Sequence, residues 1–245
     1  MNRERQLAKA FVDLSDTYAP EFDPLHLFNR LVHACKGLLQ VDAVAVMVAD
    51  ARGGLKTMAA TDEEAAFVEL MQMQTGSGPC MDCFRTGEAA SVPDITAEHE
   101  RWPKLASAMS HAGYQALQTV PVRLHDRPLG ALTLLNAHMG GMPHDDVYLA
   151  QALADSSALA LMHWSTEPDR TDDVTTRVQS AIASKATLDI AKGMIAEYAG
   201  VTISDAGRLL TGYAGHHRVS LVETAHALVS RVLDPTVVLG APTEP

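Results

Sequence analysis

Two lysines seven residues apart, Lys185 and Lys192, are the residues of this chain whose type and spacing point most directly to chemistry. On a helix of 3.6 residues per turn, seven positions are two turns less about 20°, so both ammonium groups project from nearly one face. Arg208 follows on a second predicted helix, with Tyr213 behind it. His216, His217 and Arg218 then fall in the loop before a third helix. In a compact bundle these side chains can form one cationic edge with an aromatic ring, which suits the phosphates and unstacked bases of an RNA hairpin loop. The same cations also read as ordinary solvated helix charges. Gly193, beside Lys192, costs roughly 1 kcal/mol relative to alanine in a helix interior. Close approach of an RNA backbone and close packing of another helix both account for it.

Cys80-x-x-Cys83 is the second candidate. A zinc site needs further ligands, and no second pair follows; His99 and His111 stand at no metal-ligand spacing. A dithiol redox pair ordinarily sits in a βαβ context that this sequence lacks. Structural cysteines and thiol sensing both stay open, and no metal is expected. Nucleophile-elbow, phosphate-loop, zincin and kinase signatures are absent, so no catalytic residue is assigned and the chain reads as a non-enzyme.

These residues sit in a chain of 245 residues, long enough for two domains, with 47% apolar and 20% charged residues, an ordinary globular balance. A net charge of −11 gives no support to indiscriminate nucleic-acid binding. Between Arg170 and Leu233, however, seven Lys/Arg face six Asp/Glu, so the acid excess lies elsewhere. Three cysteines do not make a disulfide framework. No apolar run approaches the roughly 18 residues of a membrane span, and the N-terminus lacks a signal-peptide core, which places the protein in the cytoplasm.

The N-terminal part alternates helices and strands. Residues 3–18 and 24–39 are amphipathic, the latter through Leu25, Phe28, Leu31, Val32, Cys35 and Leu38. Strands are expected at 42–50 and 55–61 around Arg52-Gly53-Gly54, at 88–94, and at 114–124 and 131–137 around His125-Asp126-Arg127-Pro128. Helices are expected at 62–73, with Ala65, Phe67, Val68, Leu70, Met71 and Met73 as apolar positions, at 103–111 and at 144–163. Neighbouring strands joined by hairpins exclude a βαβ repeat and require an antiparallel sheet with helices against it, an α+β fold. A ligand pocket is expected between the sheet and its covering segments, around 72–94 and 114–136.

Beyond the polar stretch Ser165–Asp173 everything reads as helix: 174–199, then Thr202 to Gly215, then from Ser220 with Glu223 in capping-box position. Ala181, Leu188 and Ile195 repeat every seven residues, which fits a dimer seam or an intradomain core equally. The expected division is an N-terminal helix at 1–21, a sensor domain at 22–164, a linker at 165–173, an all-α three-helix domain at 174–234 and a disordered tail at 235–245.

The C-terminal pattern resembles the ANTAR family of RNA-binding transcription antiterminators. The resemblance rests on Lys185-Ala186-Thr187-Leu188-Asp189-Ile190-Ala191-Lys192-Gly193-Met194-Ile195, then Ala206 with Leu209-Leu210, then Leu221 with Ala225. The region from Phe22 to His163 resembles a GAF sensor domain through Gly78-Pro79-Cys80, Gly87, Val92-Pro93-Asp94, Arg101-Trp102-Pro103 and Leu129-Gly130-Ala131-Leu132. The resemblance implies a homodimeric regulator that binds paired hairpins in leader transcripts through Lys192 and its neighbours and prevents a terminator from forming. A small molecule of unknown identity in the GAF domain would gate it. The rival reading is a regulator acting only through protein contacts or dimerisation. A helix-turn-helix DNA reader fits less well, since the last helix carries Arg231 as its one cation.

Overall fold

The computed structural model describes residues 3–17, 23–50, 52–163 and 174–240. The linker read at 165–173 and the last five residues of the tail lie outside them. Within these bounds the chain divides into two compact units, Met1–Asp16 with Leu27–Gln179, and Thr17–His26 with Ser180–Pro245.

The first unit is built on an antiparallel sheet. Its strands are β1 (Ala43–Ala49), β2 (Leu55–Ala60), β3 (Ala90–Val92), β4 (Ala116–Leu124) and β5 (Arg127–Asn136), in the order β2-β1-β5-β4-β3. β1 and β2 join through a turn in which the Asp50 carboxylate accepts the N–H groups of Arg52 and Gly54, both at 2.9 Å. Those two bonds hold Asp50 below the usual carboxylate range, the Gly54 bond most strongly. β4 and β5 meet across His125-Asp126, with His125 in the left-handed region at φ 55°. Residues 43–48 of β1 are buried without alternation, so both faces of the sheet are covered. Gly130 on β5 pairs with Val48, and a Cβ there would stand 1.9 Å from the Met47 carbonyl oxygen. Only glycine lets these strands close to pairing distance.

Helices α1 (Arg3–Ser15), α2 (Pro24–Leu38), α3 (Glu63–Thr75), α4 (Pro79–Thr86), α5 (Pro103–His111) and α6 (His144–His163) surround the sheet, with a short 3-10 turn at Ile95–Glu98. α6 lies on β4, and α1 lies on α6. α3 packs on β1, β2 and α5, while α4 rests on β3, β4 and β5. α3 starts where the Asp62 carboxylate accepts Ala65 N–H at 2.8 Å and stops at Gly76, φ 62°. Its buried face is Ala65, Val68, Glu69 and Gln72, whereas Phe67 and Leu70, expected as apolar anchors, are 45% and 41% exposed. Apolar residues all around α3 left its buried stripe ambiguous, and the sheet chose a stripe containing two polar residues.

The second unit is helical. α7 (Val174–Ala199) ends at Gly200, φ 65°, and α8 (Ile203–His217) is capped by Thr202, whose hydroxyl accepts Asp205 N–H at 3.1 Å. α9 (Leu221–Val229) is capped by Ser220, which accepts Val222 N–H at 3.1 Å and donates to the buried Asp23 carboxylate at 3.2 Å. Residues 235–239, read as the start of a disordered tail, form a fourth helix, α10 (Pro235–Leu239). Asp234 caps it by accepting Thr236 N–H, Pro235 supplies a pre-set first turn, and Val238 is wholly buried. Among the described residues, no helix is long and apolar enough to cross a membrane.

Candidate nucleic-acid interface and sensor core

Lys185 and Lys192 do share a face of α7, with Asp189 between them. Lys185 Nζ donates to both Asp189 oxygens, at 2.6 and 2.8 Å, and Lys192 Nζ stands 3.9 Å from the same carboxylate. Two cations against one acid leave the face positive. Both side chains are about three-quarters buried, at 23% and 26% exposure. Burial, with the repulsion of Lys185, pulls the Lys192 ammonium below its ordinary range, and Asp189 opposes that pull. An anion arriving here would meet a partly desolvated cation short of counter-charge.

The stem of Lys192 crosses α8 at Gly207, where a Cβ would lie 3.4 Å from Cε. Arg208, the next residue, is exposed and paired with Asp205. Tyr213 and His217 are one turn apart and stack with ring centroids at 4.3 Å, and His216 meets His217 edge-on at 5.1 Å. Six residues from Gly207, Tyr213 lies about 120° around α8 from the Lys192 crossing. Arg208 lies about 100° from that crossing on one side of α8 and His217 about 80° on the other, so Arg208 and the Tyr213–His217 pair flank it from opposite sides. Arg218 closes α8 in the left-handed region at φ 54°, its N–H shared by the Ala214 and Gly215 carbonyls.

A Cβ at Gly193 would meet nothing within 4 Å, so among the described residues no neighbouring helix accounts for that glycine. Ala181, Leu188 and Ile195 are 0%, 3% and 0% exposed, so the chain buries its heptad stripe itself. Ile190 and Tyr198 of α7 are large apolar side chains left outside, 55% and 56% exposed.

In the first unit, Cys80 and Cys83 face inward from α4 and pack with Met47, Leu55 and Ala131. Burial pushes the Cys83 thiol up to about 11 and also raises Cys80 well above its ordinary value. Both therefore stay protonated at neutral pH, a poor state for thiolate chemistry. Among the described residues, no three His, Cys, Asp or Glu side chains are placed to hold a metal ion. Beside Cys80 lies a group that the sequence reading missed: Glu69 and Gln72 of α3 with Thr133 of β5, all 0% exposed. Glu69 Oε2 accepts from Gln72 Nε2 at 3.2 Å, and Gln72 Oε1 accepts Cys80 N–H at 3.0 Å. Burial pushes the Glu69 acid up to about 7, against smaller opposing hydrogen bonds from Thr133 and Cys80. The four-residue spacing of Ala65, Glu69 and Met73 was the available signal, an acid where an apolar residue was due.

Two concavities of this unit are a cleft of about 510 Å³ bordered by Asp42, Asn136, His138 and Met142, and a groove of about 310 Å³ between α1 and α2.

A five-stranded antiparallel sheet flanked by helices defines an α+β module, here followed by a helical one. A family model of the GAF domain matches residues 23–161 and one of the ANTAR domain matches 176–229. The chain belongs to the GAF domain family and carries an ANTAR domain after it. Its fold is similar to the GAF domain of a phosphoenolpyruvate-protein phosphotransferase from Acinetobacter, at TM-score 0.51 and 14% identity over 75% of this chain and 97% of that one. The corresponding domain from Coxiella burnetii gives TM-score 0.51 and 18% identity, over 66% and 94%. No curated protein matches the chain.

Proposed function

We propose that this protein is a transcription antitermination regulator that binds hairpins in nascent RNA through its ANTAR domain, gated by a small molecule in its GAF domain. It acts in the cytoplasm, as a homodimer and without catalysis. The working division is a sensor at 22–164 and an RNA-binding domain at 174–234. One observation carries the reading: within the segment matched by the ANTAR model, two largely buried lysines, Lys185 and Lys192, flank a single acid on one face of α7. RNA phosphate would replace Asp189 as the partner of Lys192, and Arg208, Arg218, Gly193 and the Tyr213–His217 stack would add contacts to backbone and bases.

The test is a titration of the full chain with a two-hairpin RNA, its single-hairpin truncation and duplex DNA at several salt concentrations, with Lys192→Ala alongside. Preference for the paired hairpins, weakened by the substitution, is the expected result. Equal and feeble binding to all three would favour the second reading, a regulator acting through protein contacts. The exposure of Ile190 and Tyr198 on α7 supports that alternative.

A further inference from the structure

The groove of about 310 Å³ between α1 and α2 is lined wholly by residues of the first unit. Ala10, Leu14 and Leu38 are buried along it, and the small side chains of Ala34 and Gly37 keep it from closing. A Cβ at Gly37 would meet nothing within 4 Å, so α2 faces open space at that position.

The margin of this apolar floor is cationic. Lys9, Arg30 and exposed His33 stand there with a single acid, Asp13. The Asp13 carboxylate accepts from Lys9 one turn back on α1. Arg30 reaches only the Asp13 backbone carbonyl, through Nη1 at 2.8 Å. Among the described residues no carboxylate is paired with Arg30, so the rest of its half-buried fork is left to donate.

An apolar floor beside unmatched cations selects a molecule with an apolar body and a negative head. A second copy of this chain, seated across a two-fold axis, would set Lys9 and Arg30 against their own counterparts. A neutral apolar molecule would fill the floor and leave the margin positive. The volume lies at the lower end of small-molecule sites.

We infer that this groove binds a small aliphatic carboxylate, with its head forked by Arg30 beside Lys9 and its chain laid along Ala10, Ala34, Gly37 and Leu38. The planar guanidinium matches both oxygens of a carboxylate, and Lys9 offsets the repulsion from Asp13. Each methylene withdrawn from water strengthens binding by about two- to fourfold. The inference is independent of the antitermination reading, because it concerns uptake by the first unit alone.

The test measures calorimetric affinity, Tm and sedimentation of the full chain with octanoate, hexanoate and 1-octanol, for wild type, Arg30→Gln and Gly37→Leu. In Gly37→Leu the new side chain enters the open space, and leucine is the better helix former, so this variant keeps at least the wild-type Tm. Octanoate at ten times its Kd is expected to raise the wild-type Tm by about 3–5 °C. It should bind about four- to fifteenfold more tightly than hexanoate and about tenfold more tightly than 1-octanol. Arg30→Gln should weaken octanoate about tenfold, and Gly37→Leu should abolish its binding. Equal affinity for octanoate and 1-octanol, or for octanoate in wild type and Arg30→Gln, would overturn the anionic class. Unchanged octanoate binding in Gly37→Leu would overturn the location. Wild-type self-association that Gly37→Leu abolishes, without octanoate uptake, would give the groove to a second copy and overturn the proposal, as would silence from all three probes.

Discussion

The carboxamide of Gln72 occupies the space that a side chain at residue 78 would need: a Cβ on Gly78 would stand 2.3 Å from Gln72 Oε1. Gly78 also holds φ 148°, ψ 166°, a conformation open essentially to glycine alone. Glycine therefore lets α4 begin directly over the end of α3, with its first turn bonded to Gln72.

Gly78→Ala is expected to destabilise the protein by about 2–4 kcal/mol through backbone strain and the clash with Gln72. Urea unfolding of the full chain measures this. A loss under about 0.5 kcal/mol would mean that α4 does not start as described.

Glu69 predicts an unusual pH dependence of stability. Its folded value of about 7 lies above the ordinary 4.5, so between those values the folded chain holds a proton that the unfolded chain has released. Stability is then greatest below the unfolded value, falls as pH rises to about 7, and is level above it. Glu69→Gln removes that slope and raises stability at pH 8 by something on the order of 3 kcal/mol. Equal slopes in the two proteins from pH 5 to 7 would refute the burial of this acid.

Asp189 competes with RNA for two lysines. Asp189→Asn should tighten binding of a hairpin RNA about two- to fivefold, the range of an exposed ion pair. Lys192→Ala should weaken it and lower the salt slope by about one. Tighter binding by Lys192→Ala would place the RNA elsewhere.

Two glycines should respond in opposite directions. Gly130→Ala drives a methyl into the Met47 carbonyl and should cost about 3 kcal/mol or more. Gly193→Ala meets open space and should stabilise α7 by roughly 1 kcal/mol. If RNA backbone approaches at residue 193, the same substitution weakens RNA binding while raising Tm, a combination that a packing role cannot give.

Much of the fold was legible from local signals. Strand pairs joined by short polar turns implied an antiparallel sheet, since hairpin connection leaves no other arrangement. Thr202 and Ser220 marked the starts of α8 and α9, because a hydroxyl at that position satisfies amides that the helix cannot. The seven-residue spacing put Lys185 and Lys192 on one face, since helix geometry alone decides it.

What spacing could not reach was the choice among equivalent local states. Apolar residues lie all around α3, so only the sheet beneath it decided that Glu69 and Gln72 go inside while Phe67 and Leu70 stay out. Ala181, Leu188 and Ile195 fitted a seam or a core equally, and only packing within the chain buried them. Helix periodicity fixes which side chains share a face, so the sequence alone determined the lysine pair. The position of that face against Gly207 and the burial of Glu69 beneath α4 depend on side chains far apart in the chain, and only the tertiary structure decided them.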